Sequence, residues 1–226
     1  PSNFNDPFEF KVKVDEESIT HETFIGIRKK HGVAPLILEE DVEAVRRLEA
    51  AQQVREEHHG RISQAFSVIC FSKKFDSIQM WSHYADRHAG IVLGFDESAN
   101  EILSEHVRDV SYRNDPILYR HTINDEESFP HSQEIMHSKH ESWHQEEEVR
   151  LVVPNGEGFI DEKSRFKLDF VSCLKEVYFG VNCSDFDMET IALHCIQQSI
   201  KCKFFKAECD QDVYGLSFME RSLKES

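Results

Sequence analysis

Basic residues are in short supply. Against 42 Asp and Glu the chain carries 26 Lys and Arg, a formal charge of -16 over 226 residues. A polyanion would meet repulsion everywhere except in a local basic groove, which excludes a strong general nucleic-acid surface. Long hydrophobic runs are missing as well. Stretches such as "AFSVICF" at 65–71 are far too short to span a bilayer, and no charged-then-apolar leader opens the chain. A cytoplasmic protein with no membrane partner is expected. The six cysteines, at 70, 173, 183, 195, 202 and 209, form no C-x-x-C pair, so neither a zinc knuckle nor a disulfide framework is signalled and reduced, mostly buried thiols are the expectation. Internal repeats, low-complexity tracts and linkers are absent. An initiator Met is absent too, and the abrupt start at "PSNFNDPFEF" leads us to expect upstream residues.

What is present suits one globular domain over 1–226, with 39% hydrophobic and 30% charged residues and enough length to bury a core. "EFKVKV" alternates as a strand does. The stretch from Pro35 to His58 has apolar residues at 38, 42, 45, 48, 51 and 54, predicting a helical insertion over about 35–60 with a solvated Glu/Arg face. "FSVICFS" and "GIVLGFD" read as strands around a helical "DSIQMWSHYADRH", with Asp76 as N-cap. The second strand is almost continuously apolar, which predicts the centre of a sheet. A short helix near 97–105, a strand "VRDVSY", an acidic loop over about 114–132 and a helix over 132–144 follow. "EVRLVV", "FKLDF" and "LKEVYFG" read as strands, "SDFDMETIALHCIQQSI" as an N-capped helix, and "KCKFFKA" with "VYGLSFM" as a closing strand pair. The order predicts an α+β fold rather than a doubly wound sheet.

Two signals overlap in "KHESWHQEEEVRLVV", residues 139–153. His140-Glu141-Ser142-Trp143-His144 spells H-E-x-x-H, which on a long helix puts two imidazoles on one zinc ion. With 13 His and many Glu in the chain the pattern arises easily by chance, no third ligand is marked by spacing, and a β-type run follows at once. A solvated helix end explains both histidines more simply. The other signal has period two. Residues two apart on a strand share a face, which sets Glu146, Glu148 and Arg150 on one side and sends Val149, Leu151 and Val153 to the core. A guanidinium beside a carboxylate fixes its rotamer and keeps it ionised; the plainer alternative is a surface salt bridge. Upstream, Trp81, His83, Tyr84 and His88 crowd eight positions. At helical spacing Trp81, Tyr84, Ala85 and His88 form an aromatic stripe, either core or the wall of a pocket.

"FNDPFE" at 4–9, "MWSHYADRHAGIVLGFD" at 80–96, and the "K...W..E.EVR" of Lys139, Trp143, Glu146, Glu148 and Arg150 resemble, in order and spacing, the bacterial family catalogued as domain of unknown function 2971. The C-terminal "LKEVYFGVNCS" is similar to that family's tail, so the resemblance spans nearly the whole chain. It implies an ADP-ribosyltransferase-like fold, with split mixed or antiparallel β-sheets, peripheral helices and a cleft for NAD, of a kind found in bacterial toxins and phage-defence proteins. Carried over by position, Glu148 is the expected catalytic carboxylate, Glu146 the first acid of an E-x-E pair, and Tyr84 or His83 part of the motif holding the nicotinamide. Asn5, Asp6, Trp81, Trp143 and Arg150 are the expected NAD-contacting residues. Gln145 and Val149 stand where the family commonly has aromatics, which alters the pocket lining. The expected partners are NAD, as substrate, and a macromolecular acceptor whose identity has no sequence code. A non-enzymatic nucleotide- or partner-binding sensor and a zinc hydrolase through HESWH are the alternatives.

Overall fold

A computed structural model describes residues 9–19, 25, 29, 40–120, 125–155 and 171–222. The chain is α+β, with several small sheets and a few helices, and divides into two compact units built from interleaved segments. Unit 1 takes residues 1–69, 109–144 and 152–157; unit 2 takes 70–108, 145–151 and 158–226.

Unit 1 is organised by a 26-residue helix, α1 (Glu40–Ala65). It reaches well past the predicted end, and the segment behaves as core rather than insertion. Ala51, Val54, His58 and Ile62, at successive helical steps, are buried, while Gln52–Glu56 and Arg61–Glu57 bonds lace the exposed side. The stripe packs with β1 (Val12–Val14), β6 (Ile117–Tyr119) and the end of α4 (Asp125–Met136), where Phe10, Ile117, Ile135 and Met136 are all buried. Each aliphatic side chain withdrawn from water contributes about 1.5–3 kcal/mol. β6 and the start of α4 both fall inside the stretch predicted to be an acidic loop. β1 and β6 pair in parallel, as do β5 (Ser111–Arg113) and β7 (Ser138–His140). "VRDVSY" is therefore two strands, β4 (Val107–Asp109) and β5, in different sheets. The helix predicted over 132–144 stops at Met136, because Ser138–His140 spends its backbone groups on β5.

Unit 2 is built on a four-stranded sheet of order β11-β10-β9-β3, from β11 (Leu216–Glu220), β10 (Lys203–Cys209), β9 (Leu174–Phe179) and β3 (Ile91–Phe95). Helix α5 (Asp185–Gln197), N-capped by Ser184 as predicted, joins the parallel pair β9–β10, and β10 and β11 close as the predicted antiparallel pair. Strand alternation sorts the apolar residues onto two faces. Val177, Phe179, Ile91 and Phe204 pack with Met188 and Ile191 of α5. Tyr178, Val92, Phe205 and Phe218 pack with Trp81 of α2 (Ile78–Tyr84). Ser77, not Asp76, caps α2, accepting from the Met80 N–H. Among the described residues β3 is an edge strand, contrary to the central place its apolar sequence predicts. None of its five residues is fully buried, and Leu93 is 43% exposed.

A further three-stranded sheet has the order β2-β8-β4, with β2 (Phe66–Ser72) and β8 (Glu148–Pro154). The predicted strand "FKLDF", at 166–170, lies outside the described residues. The cysteines are free, and Cys173, Cys183 and Cys195 are buried. Burial pushes the Cys202 thiol up to about 11, helped by the Cys195 thiol beside it. No helix among the described residues is long and apolar enough to cross a membrane.

Candidate functional site

Central position explains the burial of β8. Val149, Leu151 and Val153 point to one side and are buried as predicted, but Glu148 and Arg150 on the other side are buried too, Arg150 completely. Arg150 Nε donates to Glu148 Oε1 at 2.6 Å, an ion pair whose side chains are 0% and 5% exposed. Charge pairs taken out of water need such short, directed contacts, because desolvation otherwise outweighs their attraction.

Glu146 departs from its expected place. It ends a 3-10 turn (Glu141–Glu146), Glu147 follows with φ 42°, and extended chain begins only at Glu148. A non-glycine residue in the left-handed region is uncommon, and here it breaks the period-two relation that sequence reasoning assigned to the two acids. The kink is held from β2 and the residues after it: the Ser72 hydroxyl donates to the Glu146 carbonyl at 2.6 Å, and the Lys73 N–H to the Glu147 carbonyl at 3.1 Å. Lys74 Nζ lies 2.8 Å from Glu147 Oε1, and this bond raises the ammonium pKa. Neither Glu147 nor its clasp carried a sequence signal.

Tyr84 reaches this segment within unit 2. Its phenol donates to Glu146 Oε1 at 2.8 Å, while Glu146 is buried and the tyrosine is 51% exposed. His83 is exposed, its ring edge-on to Tyr84 at 6.4 Å. Thus four of the sequence-predicted residues meet in two bonded pairs, Tyr84–Glu146 and Glu148–Arg150. The arrangement offers a reachable phenol, a carboxylate able to take a proton, and a rigidly held second carboxylate.

Other predicted residues go elsewhere. Trp81 is 1% exposed with its indole N–H on the Phe75 carbonyl at 2.6 Å, so it is a core residue with no face for a cofactor. Trp143 belongs to unit 1 and lies under the Lys139 ammonium, 4.9 Å from the ring centroid, a cation–π contact. Asn5 and Asp6 lie outside the described residues. The aromatic stripe is shorter than predicted: α2 ends at Tyr84, and Asp86, Arg87 and His88 all take positive φ.

This left-handed turn gives the rest of the "YADRHAG" motif a structural task. The His88 carbonyl accepts from the Asn182 N–H at 2.8 Å, and the Arg87 carbonyl from the Asn182 side chain at 3.2 Å. A Cβ on Gly180 would lie 2.1 Å from the His88 carbonyl oxygen, so only glycine fits. Sequence reasoning missed this meeting of the central motif with "YFGVN".

The H-E-x-x-H residues do not share an α-helix: His140 ends β7 and His144 sits in the 3-10 turn. Without helical geometry the one-turn spacing of two imidazoles does not apply. His144 Nδ1 contacts the Glu141 carbonyl at 3.0 Å. No group of three or more His, Cys, Asp or Glu able to hold a metal ion occurs among the described residues.

No curated protein and no solved structure matches the chain. Residues 80–151, from α2 through the buried acid and arginine of β8, match the family model described as Protein of unknown function (DUF2971), and over that third of the chain the match supports the family resemblance while leaving "FNDPFE" and the C-terminal tail outside it.

Proposed function

We propose that the chain is an NAD-consuming ADP-ribosyltransferase-like domain, a transferase or glycohydrolase of the sort used by bacterial toxins and phage-defence effectors, with its reacting groups at Tyr84, Glu146 and Glu148. The observation that supports this reading is the convergence of two distant motifs, through the Tyr84–Glu146 bond of 2.8 Å beside the Glu148–Arg150 pair of 2.6 Å. In the reaction the nicotinamide–ribose C–N bond breaks with its electron pair leaving on nicotinamide, and positive charge develops on the ribose. A fixed Glu148 carboxylate stabilises that charge, which is worth most where reorganisation is least. Water or a macromolecular acceptor forms the new bond to the ribose carbon and loses its proton to Glu146, whose oxygen is already a hydrogen-bond acceptor. His83 and Tyr84 flank the nicotinamide end.

The test is nicotinamide release from NAD by the full-length protein and by Glu148→Gln. Loss of a preorganised charge stabiliser lowers the rate about 10²–10³-fold; equal rates would refute the assignment. One observation favours a second reading, a non-enzymatic nucleotide-binding sensor: the Glu148 carboxylate is only 5% exposed and already accepts a bond from the fully buried Arg150. That reading predicts thermal stabilisation by NAD without nicotinamide release.

A further inference from the structure

We propose that unit 1 holds a binding site for a small phosphate ester, in a pocket of about 240 Å³ where its two parallel strand pairs meet. Lys11 precedes β1, while Arg113 and His140 are register partners closing the β5–β7 pair; Lys139 completes the basic lining. Three cations face a single carboxylate, Asp115, in a chain whose formal charge is -16. Such a local reversal of sign concentrates anions at one place on an otherwise repelling surface. Asn114 and Ser138 add polar groups, and the wall behind them is apolar, with Phe10, Ile117 and Ile135 each no more than 5% exposed. A concave apolar wall with a few convergent charged groups is the usual composition of a small-molecule site.

Three details fit an anion. The Ser142 N–H and hydroxyl both contact His140 Nδ1, at 3.2 Å and 2.8 Å, which fixes the imidazole in the lining. Arg113 pairs with Glu134 at 3.3 Å, but these side chains are 39% and 57% exposed, and such an exposed pair is weak, so a phosphate readily exchanges for it. Phe10 holds φ 57°, a genuine outlier for a bulky residue and of the kind found at ligand clamps. The volume lies below the roughly 300–1,000 Å³ of drug-sized ligand sites. The occupant is therefore a phosphorylated sugar or the phosphate-and-ribose part of a nucleotide, and no whole dinucleotide fits. The proposal stands independently of the NAD reading.

Calorimetric titration of the full chain with ribose 5-phosphate, ribose and inorganic phosphate tests it. Ribose 5-phosphate should bind, inorganic phosphate more weakly, and ribose not at all. Arg113→Gln and Lys11→Gln, each removing one charge at an exposed or half-exposed residue, should weaken ribose 5-phosphate binding at least tenfold apiece with an unchanged melting temperature of the ligand-free protein. Ribose binding as well as its phosphate, inorganic phosphate matching the ester, or both variants binding like the wild type would each overturn the proposal.

Discussion

Replacing Arg150 by methionine removes the cation from a strand interior and leaves Glu148 with its partner oxygen stripped of a 2.6 Å bond. Methionine approximates the length of the arginine stem, so little cavity forms and the electrostatic change dominates. Breaking one side of a buried ion pair costs about 3–5 kcal/mol. A folded chain holds about 5–15 kcal/mol in all, so this loss takes a large share of it, and the melting temperature should fall by about 6–20 °C. Lys74→Met, which removes the exposed ion pair of the clasp on Glu147, provides the internal contrast. Its pair with Glu147 is nearly as short at 2.8 Å, yet both side chains are nearly half exposed, and such a pair contributes little to stability. Urea unfolding followed by tryptophan fluorescence would report both. The double variant Glu148→Leu with Arg150→Met should recover most of the loss, because replacing both partners of a buried pair by apolar groups is often neutral. If Arg150→Met costs no more than Lys74→Met, or the double variant is as damaged as the single one, burial does not govern this pair.

Tyr84→Phe deletes the phenol donor of Glu146; about 1 kcal/mol of stability should be lost, and under the proposed chemistry nicotinamide release should fall at least tenfold while the fold, checked by circular dichroism, persists. Gly180→Ala should lower the melting temperature severely, since the His88 carbonyl 2.1 Å from the added Cβ is backbone and already accepts a bond from Asn182; a wild-type melting temperature would refute the docking of that turn. His58 has its pKa lowered from 6.5 to about 4, chiefly by burial, then by His131, Arg61 and His59. The unfolded chain thus binds its proton more readily, so stability present above pH 6.5 is lost as pH falls toward 4, by about 3 kcal/mol. His58→Leu, measured by urea unfolding across pH 4–7, should flatten that slope.

Much of unit 2 was legible because its elements obey one rule each. The consecutive apolar residues of "LKEVYFG" and "KCKFFKA" match strands covered on both faces by different neighbours, and Ser184 caps α5 by satisfying the Asp187 N–H. Where the sequence misled, a tertiary partner outweighed local preference. Continuous apolarity placed β3 at a sheet centre, although an apolar run can also stand half-buried at an edge, here with Leu93 left 43% exposed. The helical propensity of 132–144 yielded to the backbone pairing of Ser138–His140 with Ser111–Arg113. At the candidate site, Glu148, Arg150 and Tyr84 could be picked out from spacing and resemblance, but the twist at Glu147 could not. Nothing in three consecutive glutamates marks the middle one as left-handed; the clasp from Ser72, Lys73 and Lys74 imposes it. Trp81 was ambiguous for a simpler reason, since core stripe and pocket wall share one helical period.

The interleaving of the two units bears on how the molecule is made. Unit 1 has all its segments once residue 157 has been synthesised, whereas unit 2 waits for the strands of 158–226. "IVLGF" leaves the ribosome roughly 80 residues before its hydrogen-bonding neighbour β9 is finished, about 4–16 s at ordinary elongation rates. Over that interval an apolar strand has no hydrogen-bonding partner, so nascent chains should lean on chaperones at this point, and no single cut of the gene separates the segments of one unit from those of the other.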